Sequence, residues 1–342
     1  MNQVTRREFL GTTAVAGAAM TLGVNAQTAT AAEPAKKYKT QLFKSYSCPK
    51  AANIKEIAPM VAAAGYTGIE IWDWDVDIKT AREARAVAEA NGLRIHSLVR
   101  AWTTINNAET FAKDVESVKK ALRSARAYNA DAILWVPCRV AAPAINPWEF
   151  KIEYDPATLQ VSKVVAGDNA PFADYIAKQN EANAATAKAI EELIPVAAYE
   201  GVTLALENVW NQLWVMPQFA AAYIKQFDNL WVKSYFDLGN NAKYARTEEW
   251  LKALGRSTIA KLHIKDFLID RKNKNGGQFV PIGFGSIDWI AVRNAIEEIG
   301  YNGWVNLEDV KHFTPEEHSK ILDGFFAGKL TKAYAAAIKN FG

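Results

Sequence analysis

Residues 202–211 read VTLALENVWN, and the interpretation of this stretch decides the fold. A short, continuous apolar run bounded by Gly201 and Asn208 is the pattern of a strand covered on both faces. Strands covered in this way belong to parallel sheets, whose crossovers lay helices on the sheet. The run ends on a carboxylate, Glu207, with Asn208 and Trp210 directly after it. A charge at the end of a buried strand calls for a partner.

Seven further runs of the same kind flank it: TQLFKSY (40–46), TGIEIW (67–72), RIHSLVR (94–100), AILWVPC (132–138), VKSYFDL (232–238), IAKLHIK (259–265) and GWVNLED (303–309). Between them lie helical patterns with apolar residues at spacings of three and four, such as NIKEIAPMVAAAG, AETFAKDVESVKKALRSARAYN and ANAATAKAIEELIPVAAYEG, each stopped by Gly or Asn. SIDWIAVRNAIEEIG adds a helix capped by Ser286 or Asp288. Eight strand-then-helix units place the chain in the α/β class as a single (β/α)8 TIM barrel over residues 40–342. A doubly wound open sheet is the alternative, but no Gly-x-Gly-x-x-Gly follows the first strand. The Pro-punctuated segment at about 139–173, after the fourth strand, is expected to lie over the barrel mouth as a lid.

The first residues stand apart. TRREFLGTTAVAGAAMTLGVNAQTATAA (5–32) pairs Arg6 and Arg7 ahead of a small-residue apolar stretch, with Ala-x-Ala-like cleavage options near Ala26 and Ala31. It resembles a twin-arginine export signal, residues 1–32, followed by a linker over 33–39; a Sec-type signal or an uncleaved anchor is the alternative. The mature protein is expected in the periplasm or otherwise exported, with no stable membrane span once the signal is removed. Cys48 and Cys138 are the only cysteines among 342 residues, and both are expected as small buried residues rather than a bridge. With a formal net charge of +3 and scattered Lys and Arg, the chain lacks the basic footprint of a nucleic-acid binder. Oligomerisation is left open.

Four consecutive strand ends carry ligand-type residues: Glu207, Asp237 in YFDLGNN, His263 in KLHIKDF and Glu308 in VNLEDV. Neighbouring strands lie ~4.8 Å apart, so side chains from four such ends can converge on one point. Three carboxylates there repel one another unless a divalent cation neutralises them. Oxygen-rich donors with a single imidazole suit Mn2+, Co2+ or Mg2+, with Zn2+ a poorer fit. An isolated acid at a strand end is ordinarily a solvated rim residue, so the weight lies on the set.

LENVWN, FDLGN, WLKALG, KLHIKDF, GFGSIDW and IGYNGWVNLED resemble the xylose isomerase-like TIM barrel superfamily, and within it the L-ribulose-5-phosphate 3-epimerase and hexulose-6-phosphate isomerase subgroup. The resemblance implies that Glu207, Asp237, His263 and Glu308 bind the metal, and that Glu207 and Glu308 are the catalytic acid–base pair. It implies a sugar isomerase or epimerase acting through a metal-bound enediolate. Two departures matter: Phe284 stands in GFG where the family often has Gly-Glu-Gly, and Asn240 stands where related epimerases carry a substrate-contacting His. Because phosphorylated sugars are cytoplasmic and this chain carries an export-type segment, a non-phosphorylated sugar or keto-sugar is the expected substrate.

The alternative is a lyase or hydrolase on 3-keto-glycosides sharing the same intermediate. A sugar-binding protein without chemistry and an abasic-site endonuclease complete the range; the latter needs a His-rich multi-zinc cluster, and the chain has four His. His96, at the end of the third strand, Asn240, Lys265, Trp210 and Trp72 are candidate substrate-binding residues, since tryptophans past strand ends can stack on sugar rings. Asp266 is a candidate support for the site. Trp102 is expected between barrel loops, Arg271 in a solvated turn, and His312 and His318 on the surface.

Overall fold

The computed structural model describes residues 38–308 and 312–339, which fall within a single unit. The expected signal peptide and most of the linker therefore lie outside the described residues. Strands β1 (Leu42–Cys48), β2 (Gly68–Ile71), β3 (Arg94–Trp102) and β4 (Ala132–Val136) alternate with helices α1 (Ile54–Ala63), α2 (Ile78–Ala90) and α3 (Phe111–Tyr128). After β4 comes a short hairpin, β5 (Phe150–Tyr154) with β6 (Val161–Val165), and then the long helix α4 (Ala173–Glu200). Strands β7 (Thr203–Glu207), β8 (Val232–Asp237) and β9 (Ile259–Ile264) follow, separated by α5 (Pro217–Lys225) and α6 (Thr247–Leu254). A second hairpin, β10 (Asp266–Ile269) with β11 (Gly277–Val280), precedes α7 (Trp289–Ile299), β12 (Gly303–Leu307), α8 (Pro315–Phe326) and α9 (Lys332–Lys339).

Eight parallel strands close in the order β1-β12-β9-β8-β7-β4-β3-β2, with β1 paired to β12 on one side and β2 on the other. Closure removes the open-sheet alternative, because a doubly wound sheet keeps two edges. The eight expected strands are all present, within two residues of their sequence bounds.

The two-residue period of a strand sorts side chains between the helices and the barrel interior. Leu204 and Leu206 of β7, Phe236 of β8, Leu262 and Ile264 of β9 and Leu307 of β12 pack in the large core that runs under the helices. The alternate residues Ala205 and Tyr235 pack inside with Val99, Leu134 and Val136. Glu207, Asp237 and His263 continue that inner face to the C-terminal rim.

Helix ends follow their sequence signals. Asp77 accepts from Thr80 N at 2.8 Å and Asp288 from Ala291 N at 2.9 Å, caps worth about 1 kcal/mol each. Gly201 and Gly300 close α4 and α7 at φ +67° and +70°, a region that costs a side chain strain. On α8, His318, Ile321, Leu322 and Phe325 share one buried face at helical spacing. His318 is thus a core residue at 1 % exposure, which corrects its expected surface position; His312 is exposed. Cys48 and Cys138 are both buried and unbridged.

The 139–173 segment forms the β5–β6 hairpin. Phe150 meets Tyr244 of the loop after β8 with ring centroids 5.5 Å apart, and Arg271 of the β10–β11 turn lies 5.3 Å from the Trp148 ring. The insertion therefore sits at the C-terminal end of the barrel. Among the described residues no helix is long and apolar enough to cross a membrane.

Candidate metal centre

Glu207 and Asp237 are the last residues of β7 and β8, His263 is the last but one of β9, and Glu308 directly follows β12. Asp237 and His263 face each other across the β8–β9 ladder. One ligand atom from each of these four residues lies within 4.8 Å of the others. His263 Nδ1 is 3.3 Å from Glu308 Oε2 and 4.0 Å from Glu207 Oε1.

The backbone around the cluster is tied down. Asn208 joins the ends of β7 and β8, its Nδ2 donating to Asp237 O at 2.9 Å and its Oδ1 accepting from Asp237 N at 2.6 Å. Asp237 Oδ1 accepts from Gly239 N and Asn240 N at 2.8 and 2.7 Å. Asn240 Nδ2 then donates to Glu207 Oε1 at 3.1 Å, so this asparagine orients a cluster carboxylate. Lys265 Nζ lies 2.6 Å from Glu308 Oε2 and 3.2 Å from Asp237 Oδ2.

The electrostatics are uneven. Burial, then the charge of Glu308, pushes Glu207 up to about 8, and burial pushes Asp237 up to about 6 against the pull of Lys265. Burial also opposes ionisation of Glu308, yet His263 and Lys265 outweigh it and hold that carboxyl well below the usual range. Asp237 Oδ2 and His263 Nδ1 are buried and make no well-aligned hydrogen bond, each having only a charged neighbour, Lys265 Nζ at 3.2 Å and Glu308 Oε2 at 3.3 Å. Three carboxylates and one imidazole, drawn together with a single ammonium against them, fit an oxygen-preferring divalent cation.

Around the cluster the candidate residues divide. Trp210 Nε1 donates to Asn240 O at 2.6 Å, while Lys243 Nζ lies 3.5 Å from its ring centroid and Phe279 stacks at 5.0 Å. The ring is thus already contacted, and Phe279, 44 % exposed, is the freer aromatic surface. Trp72 follows β2 at the same end of the barrel and is 39 % exposed. Trp102 ends β3 under the Arg139 guanidinium, 4.2 Å from its ring.

Asp266 serves the loop. It accepts from Gly283 N and Gly285 N at 2.9 Å and from Trp289 Nε1 at 3.0 Å. A Cβ on Gly285 would come 2.0 Å from Asp266 Oδ1, so the last glycine of GFG is required by close approach.

His96 does not join the site. It is the third of nine residues in β3, wholly buried, with Nε2 2.6 Å from Ser45 Oγ and its ring stacked 4.6 Å from Trp304. That corrects its expected position at the strand's end: β3 continues to Trp102, which leaves His96 toward the opposite end of the barrel.

One residue escapes the sequence reading. Glu70, in the middle of the apolar run GIEI of β2, is fully buried and touches His263 Nε2 at 2.9 and 3.0 Å. The signal is present, an acid inside a buried strand, but nothing local links it to a histidine far along the chain.

Over residues 59–324 the chain matches the family described as Xylose isomerase-like TIM barrel. Uncharacterized protein MJ1311 of Methanocaldococcus jannaschii is 24 % identical over 141 residues, or 40 % of this chain, and the match spans only 46 % of that relative's length. Among solved structures, 3-keto-D-glucoside 4-epimerase from E. coli superposes with a TM-score of 0.58 at 15 % identity, covering 88 % of this chain and 100 % of its own. A D-allulose 3-epimerase from Methylomonas sp. in complex with D-allulose gives 0.55 at 16 % identity, with 90 % and 99 % covered. The IOLI protein with a bound zinc atom gives 0.57 at 16 %, with 86 % and 97 % covered. At such identities the likeness to these structures is one of fold, and sugar epimerases are among them. The match over most of the barrel is to the family itself: the chain belongs to the xylose isomerase-like TIM barrel family.

Proposed function

We propose that the protein is a divalent-metal-dependent isomerase or epimerase of a non-phosphorylated sugar or keto-sugar. The observation that carries the reading is the convergence of Glu207, Asp237, His263 and Glu308 within 4.8 Å at the barrel mouth. A cation held by these four residues would polarise the carbonyl and adjacent hydroxyl of a ketose and acidify the C–H between them. Mn2+, Co2+ or Mg2+ suits the donors best.

Glu207 and Glu308 supply the proton transfers at their Oε atoms. Removal from one face of a carbon and return to the other inverts it; return to the neighbouring carbon isomerises the sugar. Lys265 and Asn240, each hydrogen-bonded to one of these carboxylates, would orient it and face substrate hydroxyls. The β5–β6 insertion would close over the mouth and exclude water.

The exposed Phe279 beside Trp210 favours a second reading, a lyase on 3-keto-glycosides, because it offers an aromatic surface for a group beyond the reacting ring. Export through the segment at Arg6 and Arg7 belongs to the proposal and rests on the sequence alone; cell fractionation tests it. The function is tested by incubating Mn2+-, Co2+- or Mg2+-loaded protein with free ketoses and with 3-keto-glycosides. New epimers or isomers support the first reading. Aglycone release without epimerisation replaces it with the second, and no conversion with any of these ions removes both.

A further inference from the structure

We infer that Glu70 is a positioning residue for His263: its buried carboxylate holds the Nε2 proton and thereby turns the Nδ1 lone pair toward Glu207, Asp237 and Glu308. The inference rests on the proposed cation site.

Glu70 lies three strands from His263 around the barrel, with β12 and β1 between them, so the contact crosses the interior. Its two oxygens are crowded with donors. Oε1 accepts from Asn306 Nδ2 at 2.8 Å, Oε2 accepts from Ser97 Oγ at 2.8 Å and from the Tyr235 hydroxyl, and His263 Nε2 sits 2.9 and 3.0 Å from the pair. An ionised carboxylate only accepts, so the nitrogen facing it must carry hydrogen. With Nε2 held there, the ring turns Nδ1 toward the other three cluster residues, 3.3 Å from Glu308 Oε2 and 4.0 Å from Glu207 Oε1.

Burying a carboxylate is costly, and an apolar residue in its place would take one hydrogen bond from each of Ser97, Tyr235 and Asn306. Retaining it secures a single ring orientation and a single tautomer at a nitrogen that must be unprotonated to bind a cation. A purely structural hydrogen-bond hub would stabilise the barrel without setting the tautomer.

The test has two arms. In the Mg2+-loaded wild-type protein, 15N NMR of His263 should show hydrogen on Nε2; hydrogen on Nδ1 overturns the inference without any variant. In the second arm, Mn2+ affinity is measured by calorimetry for wild type, Glu70→Gln and Tyr235→Phe. Glu70→Gln is expected to weaken Mn2+ binding by about 10- to 100-fold with its thermal transition retained. Tyr235→Phe, which removes one hydrogen bond from the same carboxylate but leaves the His263 contact, is expected to lower Tm and leave Mn2+ affinity unchanged. Equal Mn2+ affinity in wild type and Glu70→Gln overturns the role of Glu70 alone. Failure of the wild type to bind Mn2+, Co2+ or Mg2+ overturns the cation reading, and the purpose assigned to Glu70 with it.

Discussion

Lys265 Nζ lies 2.6 Å from Glu308 Oε2, which sets an ammonium against the carboxylate that ends the cluster. The same nitrogen reaches Asp237 Oδ2 at 3.2 Å. With a cation bound, three ionised carboxylates, a neutral imidazole and this one ammonium would sum to two negative charges, the number a divalent cation balances. Lys265 is therefore the residue whose removal separates charge balance from chemistry.

Lys265→Met is expected to bind a divalent cation at least as tightly as the wild type, because a like charge beside the cation is gone. Turnover should fall, since Glu308 loses the group that orients it. Mn2+ titration and steady-state kinetics on one preparation check both; weaker Mn2+ binding with unchanged kcat would be the contrary result.

Glu207→Gln removes one of the two proton carriers. General acid–base groups contribute about 10²- to 10⁴-fold in rate, so kcat should drop by at least about 100-fold. Full turnover by this variant would end the assignment.

Cation affinity should climb with pH. In the absence of a cation, Glu207 is raised to about 8 and Asp237 to about 6, so binding must expel protons from both. Affinity should rise between pH 6 and 8 as the two carboxyls ionise and go on rising above, because Glu70 and Glu308 outweigh burial and hold the His263 proton well above the usual imidazole range. Calorimetry of Mn2+ binding in buffers of different ionisation enthalpy measures the protons released; release of none at about pH 6.5, between the two values, would contradict protonated carboxyls as the cause.

A stabilising carboxylate lies far from the mouth. Glu297 of α7 accepts from Thr40 Oγ1 at 2.6 Å, Thr40 N at 3.0 Å and Lys39 N at 2.9 Å, and these bonds, led by the Thr40 side chain, lower its pKa to about 2. A carboxylate depressed in the folded state stabilises it above the unfolded value of 4.5 and loses that contribution as pH falls toward 2. Glu297→Gln should melt below the wild type at neutral pH, by a modest margin because the site is solvent-screened, and the gap should close near pH 2. Paired thermal melts from neutral pH downward decide it.

Gly239 shows how closely the rim is packed. A Cβ there would come 2.5 Å from the Lys265 carbonyl oxygen, and the Gly239 N–H already donates to Asp237 Oδ1. Gly239→Ala is expected to cost about 1–3 kcal/mol in urea denaturation, as overpacking does, and to weaken Mn2+ binding by displacing Asp237. A variant equal to the wild type in both would mean the loop yields freely.

By itself the sequence determined the barrel and the four cluster residues. Continuous apolar runs set the strands, and each of Glu207, Asp237, His263 and Glu308 betrays itself by breaking such a run at its C-terminal end. Parallel strands put all those ends on one rim, so position along the chain translates directly into position in space. His318 is misread from sequence when the polarity of a single residue is weighed above the helical face it shares with Ile321, Leu322 and Phe325. His96 is misplaced because β3 runs on to Trp102, and where a strand ends depends on its neighbours in the ladder. Glu70 becomes visible only once the barrel has closed. β1 pairs with β12 and β2, which carries the interior of β2 around to face β9, and a hydrogen bond between residues so far apart in the chain leaves no periodic trace in either strand. Local pattern says which residues end a strand; closure and register decide which of them meet.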